Sequence, residues 1–113
     1  MKRWNKRLVM LAAAILLMTA GTLLNVAIST NGGNVKVRRV TYSDSYGNMV
    51  SGILYIPRTA TRETPAPAVL TNHGGGASAE AQSAYNVELA RRGYVVLSWD
   101  ASNSGSSEAS PDE

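Results

Sequence analysis

The sequence predicts an α/β protein in which one amino-terminal hydrophobic helix precedes a β-hairpin and a βαβ unit. Three observations support this fold class. A charge-free apolar run extends from Leu8 to Ile28. Two strand-like segments flank the turn residues "DSYGN", and from Ala68 onward the order is strand, glycine turn, helix, strand. The 113 residues suffice for one domain at most.

The apolar run "LVMLAAAILLMTAGTLLNVAI" occupies residues 8–28 and, as a helix, is long enough to cross a bilayer core of roughly 30 Å. Basic residues before it favour an amino terminus in the cytoplasm and a domain outside: Lys2, Arg3, Lys6 and Arg7. Two interpretations remain open. An uncleaved anchor explains the uninterrupted length. A secreted protein would instead have a cleaved signal peptide, with Leu8–Met18 as its apolar core and small residues at Ala27–Ser29.

Composition excludes several classes of function. The net charge of +3 comes from the basic residues before residue 8, so the rest of the chain has no basic patch for nucleic acid. The chain has no cysteine, which excludes disulfides and thiol catalysis. With His73 as the only histidine, we also expect no metal site of the usual zinc type.

The segments after the membrane run divide into a linker and a domain. "STNGGN" at residues 29–34 is a short polar linker, and residues 35–113 form the folded part. "VKVRRVTYS" and "MVSGILYIP" alternate between apolar and polar residues and predict the two strands of a hairpin that ends at Pro57. The adjacent Arg38 and Arg39 interrupt the alternation and predict a β-bulge.

The βαβ unit begins with the short apolar run "AVLTN" at Ala68–Asn72, which predicts a strand buried on both faces. A helix is expected over Ala79–Arg92, with Ser78 as its N-cap and an acidic residue in its first turn. The run "YVVLSW" at Tyr94–Trp99 predicts a second strand, parallel to the first.

The most informative stretch is "TNHGGGAS", which places Gly74, Gly75 and Gly76 between that strand and that helix. Three glycines cost backbone entropy, so we expect that bare backbone is needed at this point. A loop that enters a helix gathers several N–H groups in front of the helix dipole, and these suit a negative charge. Two such charges are the oxyanion of an acyl-transfer intermediate and a pyrophosphate.

The His-Gly-Gly-Gly run at this position resembles the oxyanion-hole loop of lipases and esterases of the α/β-hydrolase fold. Over about Val35 to Glu108 the chain resembles the amino-terminal part of α/β hydrolases of the esterase and dienelactone-hydrolase-like kind. Members of that family carry Asp-x-Arg-Gly-x-Gly-x-Ser in the loop after the second strand. The loop "DASNSGSS" keeps three of those residues and replaces two: Asp100, Gly105 and Ser107 are kept, and Ser102 and Asn103 are replacements.

The resemblance implies the start of an α/β-hydrolase sheet, and therefore an incomplete domain. It implies oxyanion donors among Gly74, Gly75 and Gly76, with Gly75 favoured, and loop-supporting roles for His73 and Asp100. No Gly-x-Ser-x-Gly occurs in the chain, so the nucleophile, acid and base of the family are expected in a later segment. The complete enzyme would be a serine hydrolase that acts on ester or amide bonds of a small molecule or peptide without a cofactor. This chain alone is expected to be inactive.

Two alternatives remain. Gly74-x-Gly76 followed by Ala79 fits a form of the dinucleotide-binding fingerprint, and Asp100 ends the next strand, where a ribose-binding acid is expected. The preceding hairpin, His73 and the export signal favour the hydrolase interpretation. A non-catalytic, membrane-tethered module would explain the missing serine motif, but it leaves the His-Gly-Gly-Gly loop unexplained.

Overall fold

The computed structural model describes residues 5–109 and has a mixed α/β architecture, a long helix followed by a four-stranded sheet. The elements in chain order are α1 (Lys6–Ser29), β1 (Val35–Ser43), β2 (Met49–Pro57), β3 (Ala68–Asn72), a 3₁₀ turn (Ala79–Gln82), α2 (Ser83–Arg91) and β4 (Val95–Trp99). The strand order is β1-β2-β4-β3. β2 is antiparallel to both β1 and β4, whereas β3 and β4 are parallel, as the βαβ unit predicts.

Helix α1 projects from the domain. Its residues from Lys6 to Ile28 are exposed, and the molecule is 69 Å long in its largest dimension. The 24 residues of the helix rise about 36 Å. With a mean hydropathy of 2.1, α1 is long and apolar enough to cross a bilayer, a property that it shares with signal sequences.

The segment between α1 and β1 is an ordered turn rather than a loose linker. The N–H of Gly32 donates to the carbonyl of Ala27 (2.8 Å), and the N–H of Val35 donates to the carbonyl of Thr30 (2.9 Å). Gly33 has a φ of 86°, in the left-handed region that glycine adopts without strain. These bonds join the end of the helix directly to the first strand.

The hairpin pairs without interruption from Val35 opposite Pro57 to Ser43 opposite Met49. The predicted bulge at Arg38 and Arg39 is therefore wrong. The two arginines lie on opposite faces of the sheet because side chains alternate along a strand. Arg39 lies opposite Ile53, on the face that α2 covers.

The predicted helix Ala79–Arg92 is present in two parts, because its first turn is 3₁₀ and α2 begins only at Ser83. Ala79 is fully buried, and both of its backbone polar groups bond to side chains of the β4 region. Its N–H donates to Asp100 (2.7 Å), and its carbonyl accepts from the Ser98 hydroxyl (3.0 Å). These contacts hold the first turn against β4 and separate it from the regular helix.

The core lies between α2 and one face of the sheet. Its buried members are Val35, Ile53, Tyr55, Ala79, Val87, Ala90 and Val96. The opposite face has no covering element among residues 5–109, and apolar side chains there are partly or largely exposed: Val40, Leu54, Ile56, Leu70, Leu97 and Trp99. β3 was predicted to be buried on both faces, which is wrong. Only its α2 face is covered, and Leu70 on the other face is 65% exposed.

Strand β3 forms an edge of the sheet, and we expect this edge to cause self-association. Residues 31–113, which lack α1, should form oligomers in size-exclusion chromatography. Leu70→Lys should shift them towards monomer because a charge on an edge strand opposes pairing with another copy. Tyr85→Lys is the matched control, since Tyr85 is 64% exposed but lies on α2. Sharp, two-state thermal unfolding of a monomeric 31–113 protein would contradict this expectation.

Candidate functional site

The glycine run forms a tight turn at the carboxyl end of β3. The N–H of Ala77 donates to the carbonyl of Gly74 (3.2 Å), and Gly76 has a φ of 74°. A positive φ at the third residue of a four-residue turn is the signature of type II and requires glycine there. Gly74 and Gly75 have no such requirement. A Cβ atom added at either would meet nothing within 4 Å, so the packing of the described residues does not explain these two glycines.

The backbone N–H groups of this turn are available. Gly74, Gly75 and Gly76 are exposed, and none of their N–H groups donates to an acceptor within residues 5–109. The structure therefore presents three neighbouring donors without side chains, directly after a parallel strand and before a helical turn. Such an arrangement of donors suits an anionic oxygen.

His73 connects the glycine turn to the loop after β4. Its Nε2 accepts a hydrogen bond from the N–H of Ala101 (3.0 Å), and its Nδ1 lies 2.8 Å from the carbonyl of Gly74. Because Nε2 is the acceptor, the proton resides on Nδ1 and is donated to Gly74. Both ring nitrogens are thus engaged by backbone groups in a side chain that is 9% exposed.

Asp100 is fully buried at the end of β4, and both carboxylate oxygens accept backbone hydrogen bonds. Oδ1 accepts from Ala79 (2.7 Å), and Oδ2 accepts from Ser106 (3.0 Å). The Arg39 guanidinium lies 3.6 Å from Oδ2. The carboxylate therefore fixes the start of the helical turn that follows the glycines and the loop that follows β4.

The serine-rich loop after Asp100 packs against the start of β2. The Ser107 hydroxyl accepts from the N–H of Ser51 (2.9 Å) and donates to the carbonyl of Asp100 (2.7 Å), so it has a structural contact on each side. Asn103, which stands where the α/β-hydrolase pattern that the loop resembles has a glycine, has a φ of 57°. Asparagine tolerates this left-handed conformation better than most residues, so the replacement is compatible with the turn.

Arg39 is the site residue that sequence reasoning missed. It forms an ion pair with Glu80, lies beside Asp100, and donates to the Ser51 hydroxyl (3.1 Å). The available signal was a charged residue at a position of β1 that the strand period assigns to the covered face. The predicted bulge at Arg38 and Arg39 interrupted the strand alternation, so Arg39 was not assigned to the covered face.

Glu80 lies next to the glycine turn, and its environment favours the ionised form. The Ser78 hydroxyl donates to Glu80 Oε2 (2.6 Å) and lowers the pKa of Glu80, and the Arg39 ion pair acts in the same direction. Ser78 thus makes a bond to a side chain and not the predicted N-cap bond to the backbone.

The pKa of Glu80 is lowered in the folded state, so ionised Glu80 stabilises the fold above the ordinary pKa of a glutamate side chain, about 4.3. We expect this stabilisation at neutral pH and its loss as the pH falls through the folded-state pKa. Glu80→Gln should therefore flatten the acid limb of a curve of unfolding free energy against pH. Glu63→Gln is the control, since Glu63 is an exposed carboxylate for which no ion pair occurs among the described residues. Equal acid limbs for wild type and Glu80→Gln would contradict the expectation.

Within the described range 5–109, no group of three or more potential metal-ligating side chains (His, Cys, Asp or Glu) comes together. The candidate site consequently consists of backbone donors and the hydrogen-bonded loops around them.

Comparisons with known proteins relate this chain to part of the length of a few larger proteins. No family model matches the chain. Uncharacterized protein PA2218 of Pseudomonas aeruginosa is 29% identical over 77 residues, which are 68% of this chain and 21% of that protein. The crystal structure of hypothetical protein PA2218 matches with a TM-score of 0.61 and 32% identity, covering 69% of this chain and 24% of the other.

A thioesterase domain from the curacin biosynthetic pathway has a similar fold. The TM-score is 0.55 at 22% identity, over 67% of this chain and 24% of that domain. This likeness concerns the fold alone. The chain spans a quarter or less of the length of each protein that it matches.

Proposed function

We propose that the chain is the amino-terminal, membrane-tethered part of a serine hydrolase of the α/β-hydrolase type, which acts on ester or amide bonds. In this proposal the glycine turn supplies part of the oxyanion hole, with Gly75 as the favoured donor and Gly74 and Gly76 as alternatives. His73 and Asp100 hold the turn in place. The nucleophile, acid and base belong to a segment outside this chain, and no cofactor takes part.

The observation that carries the proposal is the set of three unoccupied N–H groups at Gly74–Gly76. In acyl transfer, negative charge develops on the carbonyl oxygen of the substrate, and fixed backbone donors stabilise that charge without reorganisation. Glycine at positions that have open space for a Cβ atom allows a substrate to approach the backbone closely. The fold-level likeness to a thioesterase domain is in keeping with this chemistry.

The contacts of His73 favour a supporting role over a catalytic one. A general base needs a free ring nitrogen that faces the reacting group. Here the N–H of Ala101 and the carbonyl of Gly74 occupy the two nitrogens.

The dinucleotide alternative requires a ribose-binding acid as well as the glycines, and Asp100 cannot fill that role in this geometry. A ribose-binding carboxylate must present free oxygens to the hydroxyls of the ligand. Asp100 is 0% exposed, and its oxygens accept from Ala79 and Ser106. The first donor of the helical turn is also occupied by this carboxylate, so it is not available to a pyrophosphate.

Helix α1 is the membrane tether in this proposal. The hydroxyls of Thr19 and Thr22 donate to the carbonyls of Ile15 (2.8 Å) and Met18 (2.9 Å) four residues earlier. Polar side chains that bond within their own helix can lie in hydrocarbon without an unsatisfied group. With the basic amino-terminal flank in the cytoplasm, the domain lies outside it. Secretion after signal cleavage is the alternative outcome.

The test is to sequence the coding DNA beyond Glu113 and to express the longest open frame. The proposal expects a Gly-x-Ser-x-Gly motif followed by an acidic residue and a histidine. A fluorophosphonate probe should label that serine in the longer protein and should not label the 113-residue chain. A stop codon directly after Glu113, with no such motif in any frame, would overturn the proposal in favour of a non-catalytic tethered module.

A further inference from the structure

Two arginines lie at the end of the domain that adjoins α1. Arg58 follows β2, and Arg91 is the last residue of α2. Both line a cavity of about 140 Å³. The remaining lining residues come from the turn after α1, the start of β1, the end of β2 with the turn after it, and the end of α2: Asn31, Asn34, Val35, Pro57, Thr59 and Ala90. This volume is several times the roughly 30 Å³ that one water molecule takes up in the liquid.

Backbone contacts fix the position of this cavity beside the end of α1. The N–H of Arg58 donates to the carbonyl of Asn34 (2.9 Å), and Val35 opposes Pro57 across the hairpin. Ala90, the residue before Arg91, is fully buried in the core. Arg91 therefore extends from the last turn of α2, and Arg58 directly follows β2 and is held by its backbone bond to Asn34.

The cavity carries an excess of positive charge. Arg58 makes no ion pair among residues 5–109, and the Arg91 side chain is 62% exposed. Glu88 is the one carboxylate that faces this group from α2 within that range, and it divides its interaction between Arg91 (3.5 Å) and Arg92 (3.1 Å). Arg91 therefore shares its carboxylate partner with Arg92, and Arg58 has no carboxylate partner within that range.

A second cavity of about 320 Å³ lies between the last turn of α1 and α2. It shares Asn31 and Arg91 with the first cavity, and Ile28 and Val87 give it apolar walls. The two spaces meet at Arg91, and the wall of the second also contains the Glu88 carboxylate beside Arg91.

We propose that Arg58 and Arg91 bind the phosphate group of an anionic phospholipid in the leaflet where α1 ends. The inference rests on the proposed membrane tether. Guanidinium groups bind phosphate oxygens through paired hydrogen bonds, and the Asn31 and Asn34 amides can donate further bonds. The acyl chains of the lipid can contact the apolar walls at Ile28 and Val87. The cavity lies beside the end of α1, since Asn31 and Asn34 of its wall follow Ser29 closely in the chain. This position favours a lipid over a soluble phosphate.

The first experiment uses the full chain in detergent micelles, titrated with phosphatidylglycerol and followed by native mass spectrometry. Each cation close to an anionic lipid surface contributes enough for about a fivefold change in affinity. Arg58→Gln and Arg91→Gln should each weaken phosphatidylglycerol binding about fivefold. Glu88→Gln should strengthen phosphatidylglycerol binding, and misfolding would not produce such a gain in affinity. Arg38→Gln is the matched control, because it removes the same charge from an exposed position of β1.

Equal weakening by Arg38→Gln and Arg58→Gln would overturn the inference, since net charge alone would then explain binding. Displacement of the lipid by an equal concentration of inorganic phosphate would overturn the assignment to a lipid. Flotation with vesicles separates this inference from the tether. A chain that floats with phosphatidylcholine vesicles, but whose lipid binding is unaffected by Arg58→Gln and Arg91→Gln, keeps the tether and refutes the site. A chain that floats with no vesicles refutes both.

Discussion

Asp100→Ala is expected to remove a large part of the stability of the domain. The substitution leaves the buried N–H of Ala79 and the N–H of Ser106 without their acceptor, and it leaves Arg39 with one carboxylate partner fewer. Removing one partner from a buried ionic group costs about 3–5 kcal/mol. That loss is comparable with the total stability of a small domain, about 5–15 kcal/mol.

The measurement is urea unfolding of the full chain in micelles, followed by the fluorescence of Trp99 in a Trp4→Phe background. Trp4 and Trp99 are the two tryptophans of the chain, and Trp99 directly precedes the substituted residue. Asp100→Asn should give a smaller loss, because an amide can accept from one of the two N–H groups but not from both. Glu63→Ala, an exposed loss of the same charge, is the control. A loss for Asp100→Ala within about 1 kcal/mol of that control would show that the carboxylate does not hold the two loops together.

In the complete enzyme that we propose, Gly75→Pro is expected to reduce kcat by about 10²–10³-fold. Proline has no N–H, so the substitution removes the favoured oxyanion donor. The interaction strengthens as charge develops in the transition state, so KM should change much less than kcat. Kinetics with a p-nitrophenyl ester measure both constants.

Gly75→Ala is the matched control for that variant. It retains the N–H, and the added Cβ meets nothing within 4 Å in this part of the fold. The prediction requires a large difference between the proline and alanine variants. If alanine is as damaging as proline, close approach to the backbone matters more than the donor. If neither has an effect and Gly74→Pro does, the donor is Gly74.

The strands of the hairpin could be predicted to the residue, because the evidence for them is local. Turn residues and Pro57 delimit the two segments, and the observed β1 and β2 have the predicted bounds. The parallel β3–β4 pair followed from the order of elements in the same way. The boundaries that were wrong depend on contacts distant in sequence. The helix starts late because Ala79 bonds to Ser98 and Asp100, about twenty residues away.

In the candidate site, too, local features could be predicted from the sequence and contacts between distant residues could not. The glycine run is visible in the sequence because its composition is unusual, whereas its geometry depends on His73 reaching Ala101. The role of Arg39 could not be predicted from its neighbours, since its partners Glu80 and Asp100 come from two other elements. Charge pairs of this kind are set by the topology, in which β2 lies between β1 and β4 and Arg39 reaches across β2 to Asp100.

The ordered turn after α1 has a consequence for where a substrate would come from. Because β1 begins at this turn and β3 runs away from it, the glycine loop lies at the far end of the sheet from α1. The five residues of β3 alone separate the two ends by about 16 Å. An enzyme of the kind that we propose would therefore bind its substrate at the end of the sheet opposite the turn, and the hydrogen-bonded strands between the two would hold that distance constant.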